Sequence, residues 1–157
     1  MSHRPTSDLV AVAWCRGVAG IPPGAVATTL PKPGADGVIR WADTGFIQVG
    51  PVVGGSMGLE MATRAPVLQI SCWATNQGSS KPPWGKASQL AQLIVDGTYA
   101  GQQYGKRDVS AHLPDSYAGA RVMTALATEP RRFPGDPGSY ARYLLELTLN
   151  WTDKEGS

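Results

Sequence analysis

Two segments of the chain carry apolar residues at helical spacing. In 8–18 the apolar positions form a stripe that ends at Gly17. From Lys86 the spacing is again that of one helix face, and the pattern stops at Gly97. The second stripe consists of Ala87, Leu90, Ala91, Ile94 and Val95. The sequence therefore predicts two α-helices, one near the N-terminus and one past the middle of the chain.

Other apolar segments have the pattern of strands. The clearest is 66–75, whose apolar positions are nearly continuous, as in a central strand. In 140–151 apolar and polar residues alternate, which predicts one buried and one exposed face. Pro51 indicates an edge position or a bulge within its own segment. The remaining predicted strands are 26–30, 46–53 and 118–128.

Two further details follow from these patterns. Strict alternation in 118–128 places Val122, Thr124 and Leu126 on one face and the residues between them on the other. The glycine-rich 54–58 and the adjoining 59–65 are expected to form a wide loop rather than a tight hairpin.

The order of the predicted elements is α-β-β-β-α-β-β, which indicates an α+β fold. Strands joined by loops favour a mainly antiparallel sheet of four to five strands, with the two helices packed on one face. A length of 157 residues fits a single domain. Within 1–157, the segments 1–5 and 153–157 are expected to be flexible tails.

Composition narrows the classes of function. Charged residues make up 17% of the chain, below the usual quarter, while 19 glycines and 13 prolines are many for this length. Such a composition favours long loops and a surface that meets another protein. The net charge of +2 is too small for a nucleic-acid footprint.

Targeting signals and cysteine usage indicate a protein kept in a cytoplasm. The N-terminus lacks the pattern of a signal peptide, and no apolar run approaches the roughly 20 residues of a membrane span. Cys15 and Cys72 each lie in an apolar run, which predicts two buried, reduced thiols. Their spacing leaves a disulfide open.

Candidate catalytic groups do not converge in the sequence. His3 and His112 have no His or Cys at metal-ligand spacing, and the pair His112 and Asp115 lacks a Gly-x-Ser-x-Gly nucleophile. The glycines of 54–58 have the wrong spacing for a dinucleotide site, and 85–86 lacks the flanking residues of a phosphate-binding loop. We therefore predict a protein that is not an enzyme and that has no cofactor and no metal.

Aromatic and basic residues supply the candidate interface positions. Trp41 and Trp84 lie near glycines and prolines, where a large ring either anchors an interface or packs beneath its own loop. Arg131, Arg132 and Phe133 lie in a predicted turn, where they form an intersubunit contact or a solvated loop. The other tryptophans fit core faces; they are Trp14, Trp73 and Trp151.

One strand–helix segment carries a family resemblance. The strand Ala-Pro-Val-Leu-Gln-Ile-Ser-Cys-Trp-Ala (65–74) is followed by the helix Lys-Ala-Ser-Gln-Leu-Ala-Gln-Leu-Ile (86–94). It is preceded by Phe-Ile-Gln-Val-Gly (46–50), and the hairpin of 118–128 and 140–151 closes the chain. In this order, over essentially its whole length, the chain resembles the tail terminator proteins of bacteriophages with long non-contractile tails, also described as minor tail or tail completion proteins.

The resemblance implies a structural virion protein at the head-proximal end of the tail, assembled in the host cytoplasm. Such proteins form a ring, expected to be hexameric, that caps the tail tube, stops its polymerisation and provides the docking surface for the head connector. The implied partners are further copies of the chain, the major tail tube protein and the head–tail connector or stopper. Genomic DNA would pass through the lumen without sequence-specific binding, and the family has no cofactor and no catalytic residues.

Three alternatives remain open at this point. The chain could be a head–tail connector or stopper of the same virions, or an edge-pairing adaptor that forms no ring. A different class is a small ligand-binding or enzymatic domain with a site at 54–58 and His112. By length and composition, the loops expected to make subunit contacts are 32–37, 54–65 and 129–138.

Overall fold

A computed structural model describes residues 3–57, 63–76, 81–134 and 139–154 of the chain. Its α-helices are α1 (Ser7–Arg16) and α2 (Trp84–Asp96), and three short 3-10 segments span Pro23–Ala25, Ala100–Gly105 and Ser110–His112. The strands are β1 (Val26–Ala27), β2 (Phe46–Met57), β3 (Thr63–Thr75), β4 (Arg107–Asp108), β5 (Ala120–Ala127), β6 (Arg131–Arg132) and β7 (Tyr140–Asp153).

All seven strands belong to one sheet, ordered β1-β2-β3-β7-β5-β4, with β6 also paired to β7. The pair β1–β2 is parallel and the other pairs are antiparallel, so the sheet is mixed, and it curls like half of a barrel. The predicted α+β fold, with a mainly antiparallel sheet of four to five strands under two helices, is therefore wrong. Three of the strands have only two residues, too few to leave a periodic pattern in a sequence.

The two predicted helices are confirmed in position, because α1 and α2 overlap 8–18 and the stripe that begins at Lys86. The predicted central strand is also confirmed, since β3 pairs with β2 on one side and with β7 on the other. Both helices pack on the sheet face that carries Leu68, Ile70 and Cys72. The large side chains fully buried there include Trp14, Ile47, Ile94, Leu145, Leu147, Leu149 and Trp151.

A second cluster covers the opposite face of the sheet at one end. Phe46 and Trp73 are directly cross-strand neighbours, and Trp41 packs over them from the segment that joins β1 to β2. The Lys86 side chain of α2 holds this segment in place, since its Nζ donates to the backbone carbonyls of Ala42, at 2.8 Å, and of Asp43. As a result the end of β3 is buried on both faces.

The strands β2 and β3 remain paired as far as Met57 and Arg64, and we call this paired stretch beyond Val49 the arm. A wide loop was predicted here, over 54–65. Ser56 and Met57 pair with Ala65 and Arg64, so the expectation of a loop there is wrong. The cross-strand ladder satisfies the backbone groups of this glycine-rich stretch, which is why it is paired as a strand. Residues 58–62, the remainder of that predicted loop up to the start of β3, lie outside the described residues.

Pro51 was predicted to mark an edge position or a bulge, and a bulge is confirmed, because the β2–β3 register shifts between Val49 and Val52. Two further register shifts were not predicted: one in β2, between Val52 and Gly54 opposite β3, and one in β5, between Val122 and Thr124 opposite β7. The shift in β5 breaks the alternation of side chains, so Val122 and Ala125 are buried while Thr124 and Leu126 are exposed. The predicted shared face of Val122, Thr124 and Leu126 is therefore wrong.

Both ends of the described chain are attached to the sheet. The backbone of His3 bonds to Ser116 and Ala118, beside the start of β5. The Arg4 guanidinium lies 3.1 Å from the carboxylate of Asp153, which is the last residue of β7 and is buried. These contacts place the N-terminal segment against the end of the sheet where β5 begins and β7 ends.

The arm should tolerate a side chain at one of its two adjacent glycines and not at the other. Gly55 has a φ of +114°, and a Cβ there would lie 2.2 Å from the carbonyl oxygen of Ala65. We expect Gly55→Ala to destabilise the arm by about 1–3 kcal/mol, through backbone strain and this clash. Amide hydrogen exchange of β2 and β3 measures the loss. Gly54→Ala is the matched control, because a Cβ at Gly54 meets nothing within 4 Å; equal protection in the two variants would contradict the register.

Candidate assembly surface

Trp41, a predicted interface residue, packs beneath its own loop. Its side chain is 6% exposed, and its indole N–H donates to the carbonyl of Pro31 at 3.3 Å. Its ring centroid lies 6.1 Å from that of Phe46 and 6.0 Å from that of Tyr140. The residue thus fixes the segment between β1 and β2 to the sheet.

Trp84 begins α2 instead of lying in a loop. Its ring meets Tyr143 of β7 edge to face, with 6.2 Å between centroids, and the Arg132 guanidinium lies 4.5 Å from the ring centre. Such cation–π contacts contribute about 0.5–1 kcal/mol at exposed sites. Trp84 and Arg132 are therefore brought together, on the side of the sheet that α2 covers.

Arg131 forms an ion pair within the chain. Its two terminal nitrogens each lie 2.8 Å from a different carboxylate oxygen of Glu146, and the Thr128 hydroxyl donates to the same carboxylate at 2.9 Å. The hydrogen bonds from Arg131 and Thr128 lower the pKa of Glu146 to about 2. The turn predicted over 129–138 contains the two-residue strand β6, and 135–138 lies outside the described residues.

Phe133 contacts a different arginine. The Arg142 guanidinium lies 4.7 Å from the Phe133 ring centre and 4.8 Å from that of Trp73. It also donates to the Ser71 hydroxyl, at 3.1 and 3.2 Å. Successive residues of an extended segment point to opposite faces, so Phe133 and Arg132 serve opposite sides of the sheet. The five predicted interface residues therefore do not form one surface.

The groups considered for ligand binding lie apart. Gly54 lines a groove of about 340 Å³ together with Ser7, at the start of α1. His112 lines another, of about 480 Å³, together with Arg16, at the end of α1. These helix ends are about 14 Å apart, from ten residues at 1.5 Å each. The structure does not bring the glycine-rich segment and His112 together.

Other reactive side chains are engaged or buried. Lys86, considered for phosphate binding, has its amino group on two backbone carbonyls. Both cysteines are free and buried, as predicted, and burial raises the pKa of Cys15 to about 12 and also raises the pKa of Cys72. Within the described residues, no three His, Cys, Asp or Glu side chains are grouped to hold a metal ion.

The most distinctive surface is the outer half of the β2–β3 arm, which we call the arm surface and define as Pro51–Met57. All seven of its residues are exposed, including Val53 at 54% and Met57 at 66%. The sequence indicated part of it, since 54–65 was expected to make subunit contacts as a loop, but it did not indicate an exposed strand that begins at Pro51. A signal was present, however, because the chain carries no charged residue from 44 to 59.

A second exposed feature is the turn that contains Gln103 and Tyr104. Both residues have positive φ, at 55° and 57°, a conformation that is uncommon outside glycine. The turn is held by the Tyr104 amide, which donates to Tyr99, and by the Trp14 indole, which donates to Gly105 at 2.9 Å. The buried Trp14 thus anchors a turn that presents Tyr104, 62% exposed.

Comparison with known proteins adds no family to this picture. The sequence matches no protein-family model and no curated protein. Among the described residues, no helix is both long enough and apolar enough to cross a membrane.

The Arg131–Glu146 pair should make the free energy of unfolding depend on pH in the acid range. The folded pKa of Glu146, about 2, lies below its unfolded value of roughly 4.3. The ionised carboxylate therefore contributes to the free energy of unfolding above roughly pH 4.3, and this contribution is lost as the pH falls towards 2. We expect Glu146→Gln to lower the free energy of unfolding at pH 7, and the difference from the wild type to shrink between pH 5 and pH 2. Urea denaturation at several pH values measures this. Glu129→Gln removes a carboxylate from the neighbouring turn as a control; a gap that does not change with pH would contradict the assignment.

Proposed function

We propose that the chain is a structural virion protein, a tail terminator whose copies form a ring on the end of a long non-contractile tail tube. The ring stops tube polymerisation and provides the docking surface for the head connector, and genomic DNA passes through its lumen. The family resemblance of the sequence motivates this proposal. The observation that carries it in the structure is the arm surface.

The arm surface has the physical properties of an interface that is completed on assembly. Burying an exposed Val or Met side chain contributes about 1.5–3 kcal/mol, so Val52, Val53 and Met57 together represent a substantial association energy. Edge strands of monomeric proteins are usually guarded by charges, and this one has none between Asp43 and Glu60. A partner that covers Pro51–Met57 would remove this liability.

The inner part of the same strands is rigid, which suits a building block. Ile47 and Val49 of β2 are buried, and the ladder continues through β3 into β7. A closed ring requires heterologous contacts, in which one patch of a subunit meets a different patch of the next. The exposed outer half of β2, at the margin of the sheet, supplies one such patch.

A head–tail connector or stopper would use similar surfaces, and tube-end binding separates it from a terminator. The ligand-binding or enzymatic alternative needs 54–58 and His112 in one site, whereas Gly54 and His112 line grooves at opposite ends of α1. We therefore favour assembly over catalysis as the function of the arm.

Purified protein should shorten the tubes that form when the tail tube protein of the same phage polymerises. We expect Met57→Lys, which adds a charge to the arm surface, to raise mean tube length towards that without terminator, as measured by negative-stain microscopy. Tyr104→Lys is the matched control, because Tyr104 is equally exposed but lies outside the arm. Tubes of unchanged length with the wild-type protein would overturn the proposed function, and equal effects of the two variants would remove the arm from it.

A further inference from the structure

We propose that the ring is built by edge-to-edge contact, with the open edge of β2 in one copy lying antiparallel beside 126–128 in the next copy. This inference deepens the proposed function and rests on it for the ring. The partner at this surface is a second copy of the chain. The argument comes from the two edges of the sheet and from the register between them.

The first edge is the outer side of β2. The parallel strand β1 pairs only with Ile47 and Gln48. From Val49 to Met57, no described strand pairs with β2 on that side. Val52 and Val53 are about half exposed there.

The second edge is the outer side of β5. Here β4 pairs with Arg121 and Val122, and Gly105 packs closely on Ala125. Beyond that point, no described strand covers the outer side of Leu126, which is 67% exposed. Within the described ranges, an apolar edge is thus left without a paired strand on each side of the sheet.

The two open edges lie at the same level across the sheet. One row of paired residues runs Val52, Leu68, Leu147, Ala127. The next runs Gly54, Val67, Thr148, Leu126. A neighbouring copy can therefore be placed beside the first without a shift along the strands. This matters because a shift at each contact would wind the subunits into a helix, whereas a level contact allows closure.

Direction and charge agree with this arrangement. Three antiparallel pairings separate β2 from β5, so the two strands run in opposite directions and meet antiparallel in successive copies. The segments 49–57 and 122–128 both lack charged residues. Pro51 has no N–H to donate, which confines backbone pairing to the part of β2 beyond it. The seam then consists of a short backbone ladder at Val52–Gly54. The exposed side chains of Val53 and Leu126 lie beside it.

Cysteine cross-linking tests this seam. In the double variant Gly54→Cys with Leu126→Cys, the two thiols would face each other across the contact, within the 4.4–6.8 Å between Cα atoms that a disulfide spans. A side chain at Gly54 meets no atom within 4 Å, and the native Cys15 and Cys72 are buried. Gly85→Cys with Leu126→Cys is the matched control, since Gly85 on α2 is exposed and equally unobstructed. Each variant is oxidised with copper phenanthroline, alone and on tail tubes, and run on non-reducing gels.

We expect a ladder of covalent oligomers from the first variant, ending at the number of subunits in the ring, and mainly monomer from the control. Rings seen by negative stain without this ladder would overturn the seam while leaving the proposed function standing. A ladder from a protein that does not shorten tubes would support the seam and overturn the terminator. Monomer alone and on tubes would overturn the seam.

Discussion

The pairing of β3 with a long strand on each side is the interaction on which the rest of the structure depends. Nine residues of β2 and eleven of β7 are in register with β3. These two ladders satisfy the backbone groups of the central strand, and an unpaired buried polar group would cost about 1–3 kcal/mol. Both helices, the cluster of Trp41, Phe46 and Trp73, and the arm all pack on or extend from these three strands.

Burial along these strands changes from one end to the other. Near Trp73 and Phe46 the sheet is covered on both faces, by the helices and by the segment that contains Trp41. Towards Met57 the strand β2 is exposed along its whole outer half. A strand that is rigid at one end and exposed at the other can present an apolar surface without losing its conformation, because the ladder to β3 continues through both halves. This gradient suits the role in assembly that we propose for the arm, because the core remains closed.

Intramolecular contacts explain why the predicted interface residues do not form an interface patch in the monomer. Arg131, Arg132 and Arg142 each have a partner within the chain, and Trp41 and Trp84 pack on neighbouring rings. These contacts fix short segments, such as β6, to the long strands. The apolar edges at 49–57 and 126–128, which we propose for assembly, contain neither arginine nor tryptophan.

Much of the local structure could be predicted from the sequence. Periodicity located α1, α2 and the central strand, and Pro51 marked its bulge, because these features depend on neighbouring residues. The two-residue strands, the bulge in β5 and the curl of the sheet could not be predicted, since they arise from pairing between residues far apart in sequence. The level alignment of Val52 with Ala127 has the same origin. The sequence by itself thus determined the two helices, the central strand and the scarcity of charge near the arm. Only the tertiary structure decided how far the strands extend and which edges stay open, because both depend on which distant strands pair.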